Sequence, residues 1–595
     1  MGKPESKQGA ELKNSRPWLW VPSLYFAEGI PYVLVMTLSV IFYKRMGISN
    51  ADIALYTSWL YLPWVIKPLW GPVVDILRTK RFWILIMQLC IGAGLAGVAL
   101  TIPVARFFQF TLAFFWLLAF SSATHDIAAD GFYMLGLSKG DQAFFVGIRS
   151  TFYRLAMLTG QGLLVILAGF FEAKTGLPPV ELDVVAVEGQ TSFRFDPESI
   201  SIQAGEGDMY FLTPEEIRIG LQGIAETDAA EYVNEVNAWN SSHGFYPAED
   251  AQELVSGGEE LTGNMAYTWF KLSRKPEEGE NIVLNFSFDK GDKSISLARS
   301  YRFEFNEQNW NVPAFAVVKL DPKLKKTSSA TFSGLSGNIR FAWTMVFAII
   351  AVVFIGFNIY HRFALPRPLA DQSNRSSEGS FLKEFLTTFA DFFRKKNIGV
   401  ILLFLLVYRL GESQLVKLAS PFLLDSREAD GLGLTTGDLG LIYGTIGIIA
   451  LSLGGIIGGI AASRKGLKFW LWWMVAAMNL PNLVYVFLSY VMPSSLWVVG
   501  ASVAVEQFGY GFGFTAYMLY MIYVSEGKHK TAHFAITTGF MALGMMIPGM
   551  ISGKLQELIG YQHFFIWVMI CAIPSIAVIP FVKVDPGFGK KESTR

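Results

Sequence analysis

The chain has 595 residues, 52% of them apolar and only 16% charged, with a formal net charge of zero. Soluble domains carry about a quarter charged residues, so this composition argues against a soluble enzyme and for a bundle of membrane helices. The zero hides a split: residues 172–337 hold more than half of the acidic side chains and are acidic by roughly a dozen charges, and the rest is basic by as much.

The N-terminus carries Lys3, Lys7, Lys13 and Arg16 ahead of a long first apolar run with no small-residue cleavage pattern, which reads as a retained signal-anchor helix. A membrane crossing needs about 20 apolar residues. Such runs span 17–42, 53–77, 82–104, 107–137 and 144–171 (helices one to five). After a hydrophilic stretch they resume at 339–363, 398–424, 439–462, 469–491, 496–524, 532–558 and 561–582 (helices six to twelve).

Lys and Arg in short connections set orientation. Arg78, Lys80, Arg81, Arg362, Arg367, Arg394, Lys395, Lys396, Arg464, Lys465, Lys468, Lys528 and Lys530 fall on one side, with the N-terminus and Lys583, Lys590 and Lys591. The opposite connections hold little beyond Lys44, Arg45, Arg106, Arg427 and Lys554. An even helix count puts both termini on one side, so both are expected in the cytoplasm, with residues 172–338 on the outer side.

Within that insert, 180–188, 192–195, 200–203, 209–212, 267–272, 282–288, 294–300, 301–306 and 314–319 read as short strands, and 228–238 and 248–256 as helices. Short strands between Gly, Asp and Asn turns predict a β-rich, sandwich-like domain. The linker 364–397 carries Phe381, Phe385, Phe389, Phe392 and Phe393 beside Lys383 and Arg394–Lys396, the pattern of an amphipathic helix lying on the membrane surface. The organisation predicted is thus 1–171 (helices one to five), 172–338 (insert), 339–363 (helix six), 364–397 (linker) and 398–595 (helices seven to twelve). The two halves echo each other: Asn50–Tyr56 against Gly437–Tyr443, and Phe132-Tyr-Met-Leu against Ala516-Tyr-Met-Leu. Two six-helix parallel repeats predict a site between them near the midplane.

Charges inside the membrane are costly and usually face a cavity or a partner. Glu28 lies in helix one; His125, Asp126 and Asp130 in helix four; Arg409, Glu412 and Lys417 in helix seven; Glu506 in helix ten. Lys67, Arg149 and Arg154 add to them from helices two and five. Asp126 and Asp130 are four apart and share a helix face, so pairing with Arg149 or Arg154 is expected. A structural ion-pair lattice is the alternative reading of that set. Breaking a buried pair costs about 3–5 kcal/mol. Glu28, Glu412 and Glu506 fall mid-run, where a desolvated carboxylate can take up and release a proton near neutral pH. Tyr32, Tyr153, Tyr408, Tyr510 and Tyr517, with Trp59, Trp64 and Trp70, crowd the same helices; they suit stacking on sugar rings or plain packing.

Gly71-Pro-Val-Val-Asp75 followed by Arg78, Lys80 and Arg81 has the Gly, the Asp four residues on and the basic residues of a conformational loop motif. The Gly permits close helix approach, and the Asp can cap a helix or pair with a base. Cys90 and Cys571 lie in apolar runs and offer no disulfide framework. The run Gly509-x-Gly-x-Gly513 follows no strand, there is no Walker A motif, and no zinc or Ser/His/Asp constellation is visible. No cofactor, metal, enzymatic activity or nucleic-acid partner is expected. The partners expected are the bilayer and a small solute.

Phe26-Ala-Glu-Gly-Ile-Pro31, Lys67–Asp75, Ser121–Asp130 with Gly147-x-Arg149 and Tyr153-Arg154, and Tyr408-Arg-Leu-Gly-Glu412 together resemble the AmpG-type muropeptide permeases and acetyl-coenzyme A transporters of the major facilitator superfamily. The resemblance covers both membrane halves and stops at the insert. It implies twelve transmembrane helices, alternating access, and proton-driven import of N-acetylglucosamine–anhydromuramic acid fragments across a bacterial inner membrane, which makes the outer side the periplasm. The buried charges and aromatics put the expected substrate and proton pathway on Glu28, Tyr32, Lys67, Asp126, Asp130, Arg149, Arg154, Tyr408, Arg409, Glu412, Lys417, Glu506 and Tyr510. An anionic carrier for acyl-coenzyme A, suited by the arginines, and a non-transporting sensor using the outer domain are the alternatives.

Overall fold

The structure is a computed structural model that describes residues 16–189, 195–197, 200, 208–246, 261–277, 281–299, 301–369, 371–372, 378–527 and 530–589. It contains two compact units. The first holds the described residues up to Ala168, Trp343–Leu424, and those from Thr435 on; the second holds Gly169–Ala342 together with Asp425–Leu434.

The first unit is helical. Nine segments among the described residues are long and apolar enough to cross a membrane. The last of them, Ala532–Phe581, covers 50 residues but turns at Gly560, whose φ of 73° and ψ of 166° end one helix and start the next. Gly is the residue that adopts this backbone without strain. Two further helical stretches, Asn50–Trp59 with Leu62–Leu77 and Leu496–Ser525, occupy the places of helices two and ten.

Three helices carry a π-type turn: Leu34–Leu38 in helix one, Thr159–Leu163 in helix five and Gly440–Gly447 in helix eight. Such widened turns cluster at functional places in helices. The turns of helices five and eight touch. A Cβ on Gly444 would overlap the Gln161 carbonyl, so only glycine permits that crossing.

We call the helix ends from which the insert is drawn the insert side. The two halves meet there. Asn50 Nδ2 donates to Gln556 Oε1 at 2.7 Å and to the Tyr561 hydroxyl at 2.8 Å. The Ala51 amide donates to Glu557 at 2.9 Å. Toward the middle, Arg154 Nη1 donates to the Ser452 carbonyl at 3.0 Å. The half-to-half contacts therefore run from the insert side to mid-helix, and the bundle is closed there.

Helix Glu378–Phe393 is present in the linker. It does more than lie on a surface: Phe392 is fully buried, its ring 5.5 Å from that of His533, and His533 Nε2 lies 3.2 Å from the Thr388 carbonyl.

The second unit is two packed sheets. One has the order β3-β1-β11-β7-β9, from β1 (Val180–Val187), β3 (Glu216–Gly220), β7 (Ile282–Gly291), β9 (Tyr301–Phe305) and β11 (Ser328–Gly337). The other has the order β2-β6-β10-β8, from β2 (Phe211–Leu212), β6 (Met265–Leu272), β8 (Ile295–Leu297) and β10 (Ala314–Leu320). β4 (Ile224–Ala225) pairs with β5 (Leu261–Thr262). Alternating burial along β1 and β6 gives each sheet one apolar face. The faces share a core in which Phe270 of β6 meets Phe286 of β7 at 4.7 Å between ring centres.

Most of the strands expected from sequence are present, with shifted ends. The stretch 209–212 shortens to β2, and 228–238 lengthens to helix Glu226–Ser242. β3 and β11 escape the sequence reading because Ser, Gly and charged residues dilute their alternation. The expected segments 201–203 and 248–256 lie outside the described residues, as do 192–194.

The ends of the insert are zipped together. Leu177 N bonds Ser336 Oγ at 2.8 Å and Asn338 N bonds Thr175 Oγ1 at 3.0 Å. A Cβ on Gly337 would lie 2.6 Å from the Glu172 carbonyl, so the two strands of this stem are in backbone contact.

Candidate functional site

Helix seven is interrupted between Ile398–Val407 and Leu410–Leu424, and Arg409 stands in the break. Its Nη2 donates to the Tyr510 hydroxyl of helix ten at 2.6 Å. The guanidinium lies over the rings of Tyr510 and Phe514, 5.2 and 5.0 Å from their centres. Planar cation on aromatic face is the arrangement Arg favours when desolvated. Its Nε has no hydrogen-bond partner among the described residues.

One turn on, Glu412 is 1% exposed, and neither carboxylate oxygen has a hydrogen-bond partner there. Glu506 of helix ten is buried too and accepts from Gln507 Nε2 at 2.9 Å. Both glutamates interact electrostatically with Tyr443 and Tyr485, and the Tyr485 hydroxyl also lacks a partner among the described residues. Tyr32 and Tyr61 of the first half lie within electrostatic reach of Arg409, which links the cluster to both halves. Trp64 packs edge-on against Tyr32 at 5.3 Å. Unpaired polar atoms in an apolar interior each cost of order 1–3 kcal/mol, and the gathering of several in one place makes this cluster the candidate site.

A second cluster lies within the first half. Asp130 pairs with Arg149 at 3.1 Å and accepts from the Tyr25 hydroxyl at 3.1 Å. Arg149 also lies 4.5 Å above the Tyr25 ring. Asp126 pairs with Lys67, not with an arginine. Glu28 sits within electrostatic reach of Asp130, Arg149 and Lys67, and its Oε2 is unpartnered among the described residues. The Asp130 and Arg149 side chains are 41% and 31% exposed, so this pair is not the buried lattice that would cost about 3–5 kcal/mol to break.

Three further expected site residues make contacts between helices. Arg154 serves the contact with helix eight rather than an aspartate. The Tyr408 hydroxyl donates to the Gly513 carbonyl at 2.9 Å while its ring stacks on Tyr517, which makes it a packing residue between helices seven and ten. Lys417 donates to Thr57 of helix two at 2.9 Å and lies 5.1 Å from the Tyr61 ring centre.

In the loop motif nothing would touch a Cβ on Gly71, and the Asp75 side chain lies outside the description. Arg78 covers Phe82 at 5.5 Å, whereas Lys80 and Arg81 lend their amides to Asp371 at 2.7 and 3.0 Å. Asp371 thus caps helix three from the linker after helix six. Arg81 also donates to the Arg362 carbonyl at 2.5 Å.

A polar chain that sequence reasoning missed joins four helices: Ser23 Oγ to His361 Nε2 (2.9 Å), His361 Nδ1 to Gln88 (2.8 Å), and Gln88 to His125 Nε2 (3.1 Å). The lone Gln88 and His361 in otherwise apolar runs were the available signal.

Among the described residues no group of three His, Cys, Asp or Glu could hold a metal ion. Residues 28–168 match the BT1 family. The chain is 26% identical over 303 residues to the putative transporter AmpG 4 of Rickettsia conorii, covering 51% of this chain and 71% of that protein. It is 26% identical over 189 residues to the anhydromuropeptide permease of Escherichia coli K12, covering 32% of this chain and 37% of that one. Its fold is similar to that of a variant of the nucleoside transporter NupG, with a TM-score of 0.53 and 12% identity over 96% of this chain and all of that one. The NupG likeness shows the fold, and the two relatives that the chain resembles in sequence are named a putative transporter and a permease.

Proposed function

We propose that the chain is a proton-coupled importer of amino-sugar cell-wall fragments, spanning a bacterial inner membrane twelve times with both termini in the cytoplasm and the insert outside. The nine apolar segments become twelve crossings when helices two and ten are added and the last segment is divided at Gly560. The observation that carries the reading is the cluster around Glu412. Buried carboxylates, those of Glu412 without hydrogen-bond partners among the described residues, stand beside an arginine and a wall of tyrosines, between two halves closed over one side. A solute bearing hydroxyl and carboxylate groups would satisfy both glutamate and arginine. Tyrosine faces suit sugar rings. The name of the Escherichia coli relative, anhydromuropeptide permease, points to this substrate class.

Uptake into proteoliposomes tests it. Labelled anhydromuropeptide accumulates when the outside is made acid and does not when the gradient is collapsed. Accumulation of an acyl-coenzyme A instead, or of neither solute, refutes the substrate class. Accumulation that ignores the gradient refutes the coupling.

A further inference from the structure

The connection between helices seven and eight does not fold with the helices it joins. Residues Asp425–Leu434 belong to the compact unit of the insert, where their turn Arg427–Ala429 packs against β7. The connection is built as a preformed loop. The Gly433 amide donates to the Asp425 carbonyl at 2.7 Å and the Gly431 amide to the Ser426 carbonyl at 3.0 Å. Asp430 and Gly433 take left-handed backbone, with φ of 56° and 69°. Leu432 and Leu434 are buried. A loop with internal bonds and buried leucines is held in one shape by its surroundings and is not a slack tether.

The other attachment of the insert is the zipped stem described above, whose strands continue into helices five and six. Helices five and six belong to the first half, helices seven and eight to the second. The sandwich is therefore rooted in one half and grips the loop of the other. Helix seven also carries Arg409, Glu412 and Lys417, and Lys417 makes the cross-half bond to Thr57.

We infer that the inserted sandwich is a strap that holds the two halves together on the insert side, so that opening there requires it to release the loop Asp425–Leu434. A strap of this kind sets the population of the open form without touching solute: a contact made only in the closed form lowers the open fraction by its own free energy. It rests on the chain being an alternating-access transporter and is independent of which solute moves.

The test is a distance between the halves, read without substrate. Spin labels go on Asp52→Cys of helix two and Lys554→Cys of helix eleven, whose side chains are exposed, in a Cys90→Ala/Cys571→Ser chain in nanodiscs. An Asp52→Cys/Leu100→Cys pair, both within the first half, reports integrity. Two variants release the strap: replacement of the turn Arg427–Ala429, which packs against β7, by Gly-Ser-Gly, and replacement of 175–336 by a short Gly/Ser linker. Both are expected to raise the long-distance fraction of the cross-half pair, on the order of tenfold as for typical couplings between sites, with the internal pair unchanged. A parent-like cross-half distribution in the linker variant, with the internal pair intact, overturns the inference whatever the loop variant does. Failure of muropeptide uptake leaves this readout untouched, so the two proposals fail separately.

Discussion

Lys417 Nζ donates to Thr57 Oγ1 at 2.9 Å, and this bond joins helix seven of the second half to helix two of the first. Both residues are buried, and the ammonium has the Tyr61 ring beside it. Thr57→Val removes the acceptor and keeps the shape, leaving a buried cation one partner short, at a cost of about 1–3 kcal/mol to the closed form. Faster labelling of a cysteine introduced at the insert-side end of helix two is the expected result. In a double-mutant cycle with Lys417→Met the two effects should be non-additive, because one bond is lost only once. Additive effects would mean that the bond carries no coupling.

Substituting the three glutamates tests coupling apart from movement. Glu412→Gln and Glu506→Gln are expected to abolish accumulation driven by a pH gradient while sparing exchange of labelled for unlabelled solute. Glu28→Gln should do so only if the first-half cluster shares the proton. Gln keeps the shape and removes the titration. Three variants that all concentrate solute like the parent would remove these residues from the proton path.

Much of this is legible in the sequence because burying a charge is rare: a glutamate in the middle of an apolar run announces itself. The side chain's partner does not. Asp126 and Asp130 sit one helical turn apart, which leads to a pairing of one or the other with Arg149 or Arg154; Asp130 takes Arg149, and Asp126 takes Lys67 of helix two, which spacing does not foretell. Residue type puts Tyr408 on a cavity helix but does not say which way that helix is rotated about its axis, and the hydroxyl turns to the Gly513 carbonyl. The capping of helix three by Asp371, 290 residues along the chain from Arg81, leaves no local trace at either end. The packing of the turn Arg427–Ala429 on β7 is a tertiary contact of the same kind.

Partial exposure lowers what the Asp130–Arg149 pair contributes. Asp130→Asn is expected to destabilise the protein by about 1 kcal/mol or less, against the roughly 3–5 kcal/mol of a sealed pair. Thermal unfolding in detergent measures this, and a loss in the upper range would show that the pair is sealed in the working protein.

The insert has an acid limb. Asp292, in the turn after β7, accepts from the Ser328 hydroxyl at 2.5 Å and from the Ser294 amide at 2.9 Å. These bonds hold its carboxyl below the usual carboxylate range, the Ser328 hydroxyl contributing most. The folded form therefore gains stability above the unfolded pKa and loses it as pH falls through the folded one. Amide exchange in β7, β8 and β11 of the full chain should accelerate on acidification below the ordinary Asp range. Asp292→Asn should flatten that rise; an unchanged acid response in the variant would assign it to another group.

Helix crossings between the halves set a sharper test, because glycines differ in what a methyl group would meet. At Gly444 a Cβ overlaps the Gln161 carbonyl of helix five, and backbone cannot step aside as a flexible side chain can. At Gly459, further along the same helix, nothing lies within 4 Å. Gly444→Ala must push helices five and eight apart, at about 1–3 kcal/mol for an overpacked contact. Gly459→Ala should be neutral or stabilising by roughly 0.5–1 kcal/mol, the ordinary gain of Ala over Gly inside a helix. Because the strained contact exists only while the halves are closed on the insert side, Gly444→Ala should also shift the cross-half distance between residues 52 and 554 toward the longer population. Gly459→Ala should leave that distribution alone. Equal effects of the two substitutions on both readouts would mean that helices five and eight do not cross at Gly444 in the membrane.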